Sequence, residues 1–450
     1  MKKLSYYLEI FKNDKIIKKI ITNSGYLLSS NVLSMGLSIL QSILAGRLLG
    51  VANFGVIGTI TAFATTLNRI FSFRMNELVV KYFGESLARD EKDRAAAVVK
   101  AAGFGEIIAA LLSFTVLVLL APLAATHLAD DPQTSGLFTL YGTIILANIL
   151  TETATGILQV RNRFKNQAIL NLISSVFTAG IITWAFFTKQ GLMAIISAYL
   201  IGKFILGSGT AIIGWKETSA VLGKDWWRTS FKHLPPMKEL LQFGFSTNIS
   251  STIILLVRDN EALWIAWLLS PVEVGYTKTA LAIINLVQIP ITPFIATTYP
   301  EVNTAVSNKD WNLVRRLLKR VTLISGTWTI LTSIGLAFFG RWLLLFYGPE
   351  FLPAYSPMLI FLIGLGYANI FFWNRPLLLS LGLPMIPYRI SLWCGILKIG
   401  LAVLLVPQLG LNFEAFLLSA FFVISITLIL WRGYQEIEKK KKDPSGILAA

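Results

Sequence analysis

About a dozen stretches of roughly twenty apolar residues, separated by short polar breaks, run the length of this 450-residue chain. As a helix, each is long enough to cross the hydrocarbon core of a bilayer, about 30 Å thick. The composition agrees with that solvent: 54% of residues are hydrophobic, 14% are charged, and mean hydropathy is +0.65. An average soluble domain is about 25% charged. The apolar runs are long and continuous rather than alternating, which argues against a membrane β-barrel. The fold class expected is an all-α polytopic membrane protein of about 12 transmembrane helices. The predicted spans are 22–48, 54–80, 97–122, 136–160, 167–187, 191–214, 239–269, 275–299, 318–340, 355–379, 386–407 and 412–432.

The middle of the chain repeats its beginning. Leu48-Leu49-Gly50-Val51-Ala52-Asn53-Phe54-Gly55 closes one span and opens the next, and Leu268-Leu269-Ser270-Pro271-Val272-Glu273-Val274-Gly275 does the same about 220 positions later. The expected organisation is two six-helix lobes related by a parallel internal repeat: a basic N-terminus over 1–19, a first lobe over 20–214, a linker over 215–238, a second lobe over 239–434 and a basic tail over 435–450. A transporter has a use for such a duplication, because it rocks two similar bundles about a site held between them.

Lys and Arg collect before the first span, around Lys81 to Lys100, at Arg161, Arg163 and Lys165, from Lys216 to Lys238, from Lys309 to Arg320, and at Lys439 to Lys442, while the alternate connections are poor in them. The positive-inside rule therefore places both termini in the cytoplasm. The net charge of +16 is mostly this topology signal, and no folded basic face outside the membrane exists to bind nucleic acid. Residues 1–19 lack an apolar run before a small-residue cleavage site, so the first span is expected to stay in the protein. The run Lys439 to Lys442 is an inside anchor able to meet anionic lipid.

Several chemistries are disfavoured. Cys394 is alone, so no intrachain disulfide forms, and with His127 and His233 as the only histidines no Cys/His metal cluster is available. No Walker A sequence appears, which argues against direct use of ATP, and no cofactor is implied. The longest hydrophilic break, the linker around Lys216 to Lys238, is short for a catalytic domain.

Polar residues inside the spans are the informative ones. In the first span Asn31, Ser34, Ser38, Gln41 and Ser42 share one face at 100° per residue, and in the second Thr61, Thr65, Asn68, Ser72 and Asn76 do, with Arg69 at the edge. The seventh span carries Thr247, Ser250, Ser251, Arg258 and Glu261, and the eighth Lys278, Asn285, Gln288 and Thr292. Hydroxyls and amides on such a face also serve as interhelical glue. Arg258 demands more, because a cation in mid-membrane costs from about 2.5 to over 10 kcal/mol. It is either neutralised by Glu261 at i+3 and the adjacent Asp259, or it meets an anionic substrate while a carboxylate takes a proton or sodium ion. Asp259, Glu261 and Glu152 are the candidates for that ion. Lys278 aligns with Gly58 near the outer end of its helix, and Arg69, Arg74 and Glu77 lie in the inner half of the second span. Glu106, Lys203, Arg375, Arg389 and Lys398 complete an interior with an excess of cations, suited to an amphiphilic anion such as a lipid-linked phosphate.

Asn23-Ser24-Gly25-Tyr26, Ala45-Gly46-Arg47-Leu48-Leu49-Gly50 leading into Asn53-Phe54-Gly55, Phe243-Gly244-Phe245, Val274-Gly275-Tyr276 and Tyr347-Gly348-Pro349-Glu350-Phe351 together resemble the bacterial polysaccharide-transport, or oligosaccharide flippase, family (Wzx-like). The likeness runs from about residue 20 to 430, and that family sits in the superfamily of multidrug and toxin extruders and the lipid II flippase. The resemblance implies two six-helix lobes around a central cavity, and translocation of undecaprenyl-diphosphate-linked oligosaccharide across the bacterial cytoplasmic membrane for O-antigen, exopolysaccharide or capsule synthesis. Its partners would be the lipid-linked substrate, membrane lipids, a coupling proton or sodium ion, and polysaccharide polymerase machinery. Related flippases hold the diphosphate with cations of the first lobe, for which Arg47, Arg69 and Arg74 are nearest, although Arg47 projects away from the polar face of its helix. The candidate cavity set is Arg258, Lys278, Arg69, Arg74, Asn31, Gln41, Asn68, Asn285 and Gln288. A drug or organic cation antiporter and a membrane polymerase or ligase are the alternatives.

Overall fold

The computed structural model describes residues 15–236, 238–240, 248, 252 and 255–442. Among them there is no strand, and ten helices are long and apolar enough to cross a membrane: Ser30–Phe71, Lys92–Leu128, Pro132–Val160, Phe164–Phe187, Leu192–Leu222, Pro271–Ile291, Trp311–Leu345, Pro349–Ser380, Met385–Leu409 and Leu411–Lys441. The first holds both of the first two predicted spans, and most of the predicted seventh span, with Thr247, Ser250, Ser251 and Phe243 to Phe245, lies outside the described residues. The all-helical, polytopic reading of the sequence therefore holds, with ten candidate spans among the described residues. Large apolar side chains point outward: Phe187, Phe338, Trp342 and Trp393 are each at least 70% exposed. A helix that is apolar on its outer face is at home in lipid, which removes the need to bury that face.

The chain forms two compact units. One comprises Met1–Leu48, Phe63–Ala125 and Pro132–Ile249; the other comprises Leu49–Ala62, Thr126–Asp131 and Ser250–Ala450. The core of the first gathers Met75, Val79 and Phe83 against Ala95, Val99 and Ile157. In the second, Trp373, Leu377 and Leu378 meet Val302, Leu318 and Ile429.

The repeated segment solves the same turn twice by different means. In the first copy the helix Lys15–Phe71 breaks at Gly50, with φ 73° and ψ 171°, a conformation glycine adopts without the steric cost of a side chain. In the second copy Ser270 is extended, its Oγ accepts the Val272 N–H at 3.3 Å, and Pro271 occupies the first turn of the helix.

Within the second unit these two helix starts cross backbone to backbone. A Cβ on Gly55 would overlap the Pro271 carbonyl and lie 2.9 Å from Gly275 N, and one on Gly275 would overlap the Val51 carbonyl. One turn further, a Cβ on Gly58 would come 3.0 Å from Val274 Cγ1, while the Lys278 ammonium sits 4.5 Å from the centre of the Phe54 ring. Positions 51, 54, 55 and 58 correspond in the repeat to 271, 274, 275 and 278. Each contact therefore has its mirror: 55 meets 271 as 275 meets 51, and 58 meets 274 as 278 meets 54. This is the reciprocity of a two-fold interface, here made within one chain.

Among the described residues, several spans are interrupted partway along their length. The second breaks at 72–74, with Arg74 in the left-handed region; the fourth turns at 148–150; the tenth turns at 371–373; and the seventh carries a π-helical turn, Leu255–Asp259, before Glu261–Leu268 begins. Breaks inside a span leave backbone groups that something other than lipid must satisfy.

Candidate functional site

In the first unit, carboxylates satisfy the breaks. Glu106, buried in the third span, accepts the backbone N–H groups of Glu152 at 2.7 Å and Thr153 at 2.9 Å, capping the helix Thr151–Val160. Glu152 then uses its own two oxygens on the break in the second span, accepting the Ser72 hydroxyl at 2.6 Å and the Met75 N–H at 2.8 Å. Asn248 donates to the carbonyls of Ile70, at 3.1 Å, and Ser72. All four oxygens of the two glutamates are thus engaged by donors, the arrangement that suits ionised carboxylates at helix N-termini. Beside them a cavity of ≈ 310 Å³ is lined by Thr65, Asn68, Ser72, Asn148, Thr151 and Lys203 as well as both glutamates.

The cavity of the second unit is larger, ≈ 1120 Å³. Its polar wall carries two guanidinium groups, Arg258 and Arg375, with Asp259, Glu261, Asn285, Gln288, Asn369 and Asn374; its aromatic wall carries Tyr299, Phe372, Tyr388, Phe421 and Phe422. Arg258 Nε donates to Asp259 Oδ1 at 2.8 Å and leaves the side chain 48% exposed. The Arg375 guanidinium stacks on Tyr388, 4.6 Å from the ring centre, and donates to its hydroxyl. The amide groups of Asn285 and Gln288 face the same space from the eighth span. A hydrated, hydroxyl-rich or phosphorylated group fits these walls: guanidinium forks match phosphate oxygens, amides both donate and accept, and aromatic faces cover apolar sugar faces.

Of the residues singled out in the sequence, Arg258, Asp259, Glu261, Asn285, Gln288 and Arg375 meet in this cavity, and Thr65, Asn68, Ser72, Glu106, Glu152 and Lys203 meet in the smaller one. The others lie elsewhere. Gln41 donates to the Ser175 carbonyl at 3.0 Å, and Asn171 donates to Asn31 at 3.4 Å, so part of the first polar stripe ties its span to the fifth. Arg74 pairs with Glu77 at 2.5 Å, half exposed. Arg69, in the last turn of its helix, lines neither cavity. Lys278 lines neither and belongs to the helix crossing described above. Of the two carboxylates the sequence offers Arg258, Asp259 pairs with it and Glu261 does not, being held by Lys398 instead. Tyr299, Asn369, Asn374, Tyr388 and Glu414 carried no sequence signal beyond their polarity, and Arg375 and Lys398 stood out only as part of the interior's excess of cations.

A broken-helix, two-repeat, all-α architecture with polar cavities at mid-span defines a class: the fold of the multidrug and lipid-flipping exporters. The chain superposes on an inward-facing multidrug resistance MATE transporter of the MOP superfamily with a TM-score of 0.70 at 12% identity, covering 91% of this chain and 96% of that one. It superposes on the lipid II flippase MurJ, in an inward closed conformation, with a TM-score of 0.68 at 16% identity, covering 92% and 90%. Residues 20–303 match the model of the family described as polysaccharide biosynthesis protein, and the chain belongs to that family. It is also 25% identical over 351 residues to the inner membrane protein YghQ of Escherichia coli (strain K12), covering 76% of this chain and 96% of that one.

Proposed function

We propose that the protein is a flippase that carries undecaprenyl-diphosphate-linked oligosaccharide from the cytoplasmic to the outer leaflet of the bacterial inner membrane, with both termini in the cytoplasm. The observation that carries this reading is the second unit's cavity, where Arg258 and Arg375 stand among amides and aromatic rings. Family membership and the likeness of fold to MurJ support it. A diphosphate and a hydrated sugar cannot cross about 30 Å of hydrocarbon unaided, whereas a polyprenyl tail can stay in lipid throughout. The lobes over 20–214 and 239–434, joined by the linker over 215–238, would alternate access to the headgroup site.

A cation antiporter is the competing reading, since multidrug transporters share the fold. It would need an accessible acidic site. In the smaller cavity both carboxylates are already engaged by backbone and hydroxyl donors, and in the larger one Asp259 is paired with Arg258 and Glu261 with Lys398, so neither offers a free carboxylate to an organic cation.

The decisive experiment is deletion of the gene. Lipid-linked repeat units should accumulate on the inner leaflet and surface polysaccharide should fall. Unchanged repeat units with altered drug tolerance would overturn the proposal in favour of antiport. Arg258→Ala and Arg375→Ala should each lower export about tenfold or more at unchanged membrane abundance, the loss of one charge-assisted contact of about 1.5–3 kcal/mol.

A further inference from the structure

Lys398, on the eleventh span, reaches two carboxylates at once. Its ammonium contacts Glu261 Oε1 from the seventh span and lies 2.8 Å from Glu414 Oε1 of the twelfth. The three side chains are 3%, 6% and 0% exposed in the order Lys398, Glu261, Glu414. Fully ionised, the triad would hold two negative charges against one positive, and the unbalanced charge would sit in a medium where each costs several kcal/mol.

The hydrogen bonding points the same way. Glu414 Oε1 faces the ammonium, but Glu261 Oε2 and Glu414 Oε2 are buried and meet no donor, although the two carboxyl groups lie within hydrogen-bonding reach of each other. Two ionised carboxylates only accept, so neither can satisfy the other. A single proton supplies the missing donor and the missing charge together. Glu106 and Glu152 show the contrast, since every one of their oxygens already meets a donor.

We propose that Glu261, Lys398 and Glu414 form a binding site for one exchangeable proton, held between the two carboxyl groups. A metal cation is excluded from the position between Glu261 and Glu414 because the tethered ammonium already occupies it. Exchange runs through Glu261, the one member of the triad that lines the large cavity. The ion pairs and hydrogen bonds of the triad are all internal among the described residues. The other ionisable groups on the spans packed around it are the Arg258–Asp259 pair, Glu273, Tyr276 and Lys278 on the eighth, Tyr355, Tyr367 and Arg375 on the tenth, Tyr388, Arg389 and Cys394 on the eleventh, and, at the far end of the twelfth, Arg432, Tyr434 and the charged residues from Glu436 to Lys441. The role of this proton in transport rests on the flippase reading; its existence does not.

The test is infrared difference spectroscopy of the purified full-length protein between alkaline and neutral pH, read at the carbonyl stretch of protonated carboxylic acids. The wild type should show a band that Glu261→Gln and Glu414→Gln each abolish, since either leaves one carboxylate neutralised by Lys398. Lys398→Met should strengthen it about twofold, because both carboxyls then need a proton. Sodium chloride at the ionic strength of a potassium chloride control should leave the band unchanged. A wild-type band that both glutamine variants retain, or that sodium removes, overturns the proposal. If Lys398→Met does not fold, the two glutamine variants and the sodium arm still decide it. Proteoliposomes loaded with lipid-linked oligosaccharide then ask for coupling, with translocation accelerated by a proton gradient in the wild type and not in Glu414→Gln. If the infrared pattern holds and no oligosaccharide moves, the flippase reading fails and the proton site stands.

Discussion

Glu106 and Glu152 form a chain of caps: one carboxylate fixes the start of the half-helix that carries the other, and the second fixes the break in another span. Replacing Glu106 with glutamine turns one acceptor into a donor facing the N–H of Glu152 or of Thr153, and leaves a buried donor unpaired. The cost should be about 1–3 kcal/mol, seen as a lower thermal unfolding temperature in detergent, whereas Glu152→Gln should cost less, because the Ser72 hydroxyl can turn to accept from the new amide. In the sequence nothing about these two glutamates says that they are caps, and nothing about Glu261 says that it is not. What separates a structural cap from a proton site is which donors reach each oxygen, and those donors come from other helices. Spacing along one helix therefore offers Glu261 either as a partner of Arg258 or as a site for an ion, and cannot show Lys398. That lysine lies 137 positions away, and the π turn at Leu255–Asp259 had already broken the 100° periodicity on which a pairing with Arg258 depended.

Helices were legible from hydropathy, their interruptions were not. The apolar runs located every described span, since about twenty apolar residues have one stable solution in lipid. The turns at 148–150 and 371–373 contain no proline, and they exist because caps and neighbouring spans satisfy the freed backbone groups. The glycines of the repeat were visible as punctuation, but their purpose was not. Gly275→Ala should cost about 1–3 kcal/mol, because the new methyl group meets the Val51 carbonyl and lies 2.9 Å from Val51 Cγ1. Gly55→Ala should do the same against Pro271. Gly180→Ala, where a Cβ meets nothing within 4 Å, should leave thermal stability unchanged or slightly raised.

At the scale of the whole chain, the alternation of basic and non-basic connections predicts sidedness. In a Cys394→Ser background, a membrane-impermeant thiol reagent applied to intact spheroplasts should label Asp131→Cys and should not label Ala450→Cys until the membrane is opened; the reverse pattern would invert the proposed topology. The reciprocal crossing of the helix starts at Val51 to Gly58 and Pro271 to Lys278 carries a consequence for ancestry. A single repeat that dimerised about this crossing would bury the same backbone contacts twice, so its glycine would be needed in both copies, as Gly55 and Gly275 are. A lysine at the next turn is another matter. In a dimer of identical chains it would appear on both sides of the axis and bring two ammonium groups toward one another. Two copies with separate sequences escape that constraint: here one side of the crossing keeps Gly58 and the other carries Lys278, resting on the ring of Phe54, so a shared backbone geometry holds two chemically different sides.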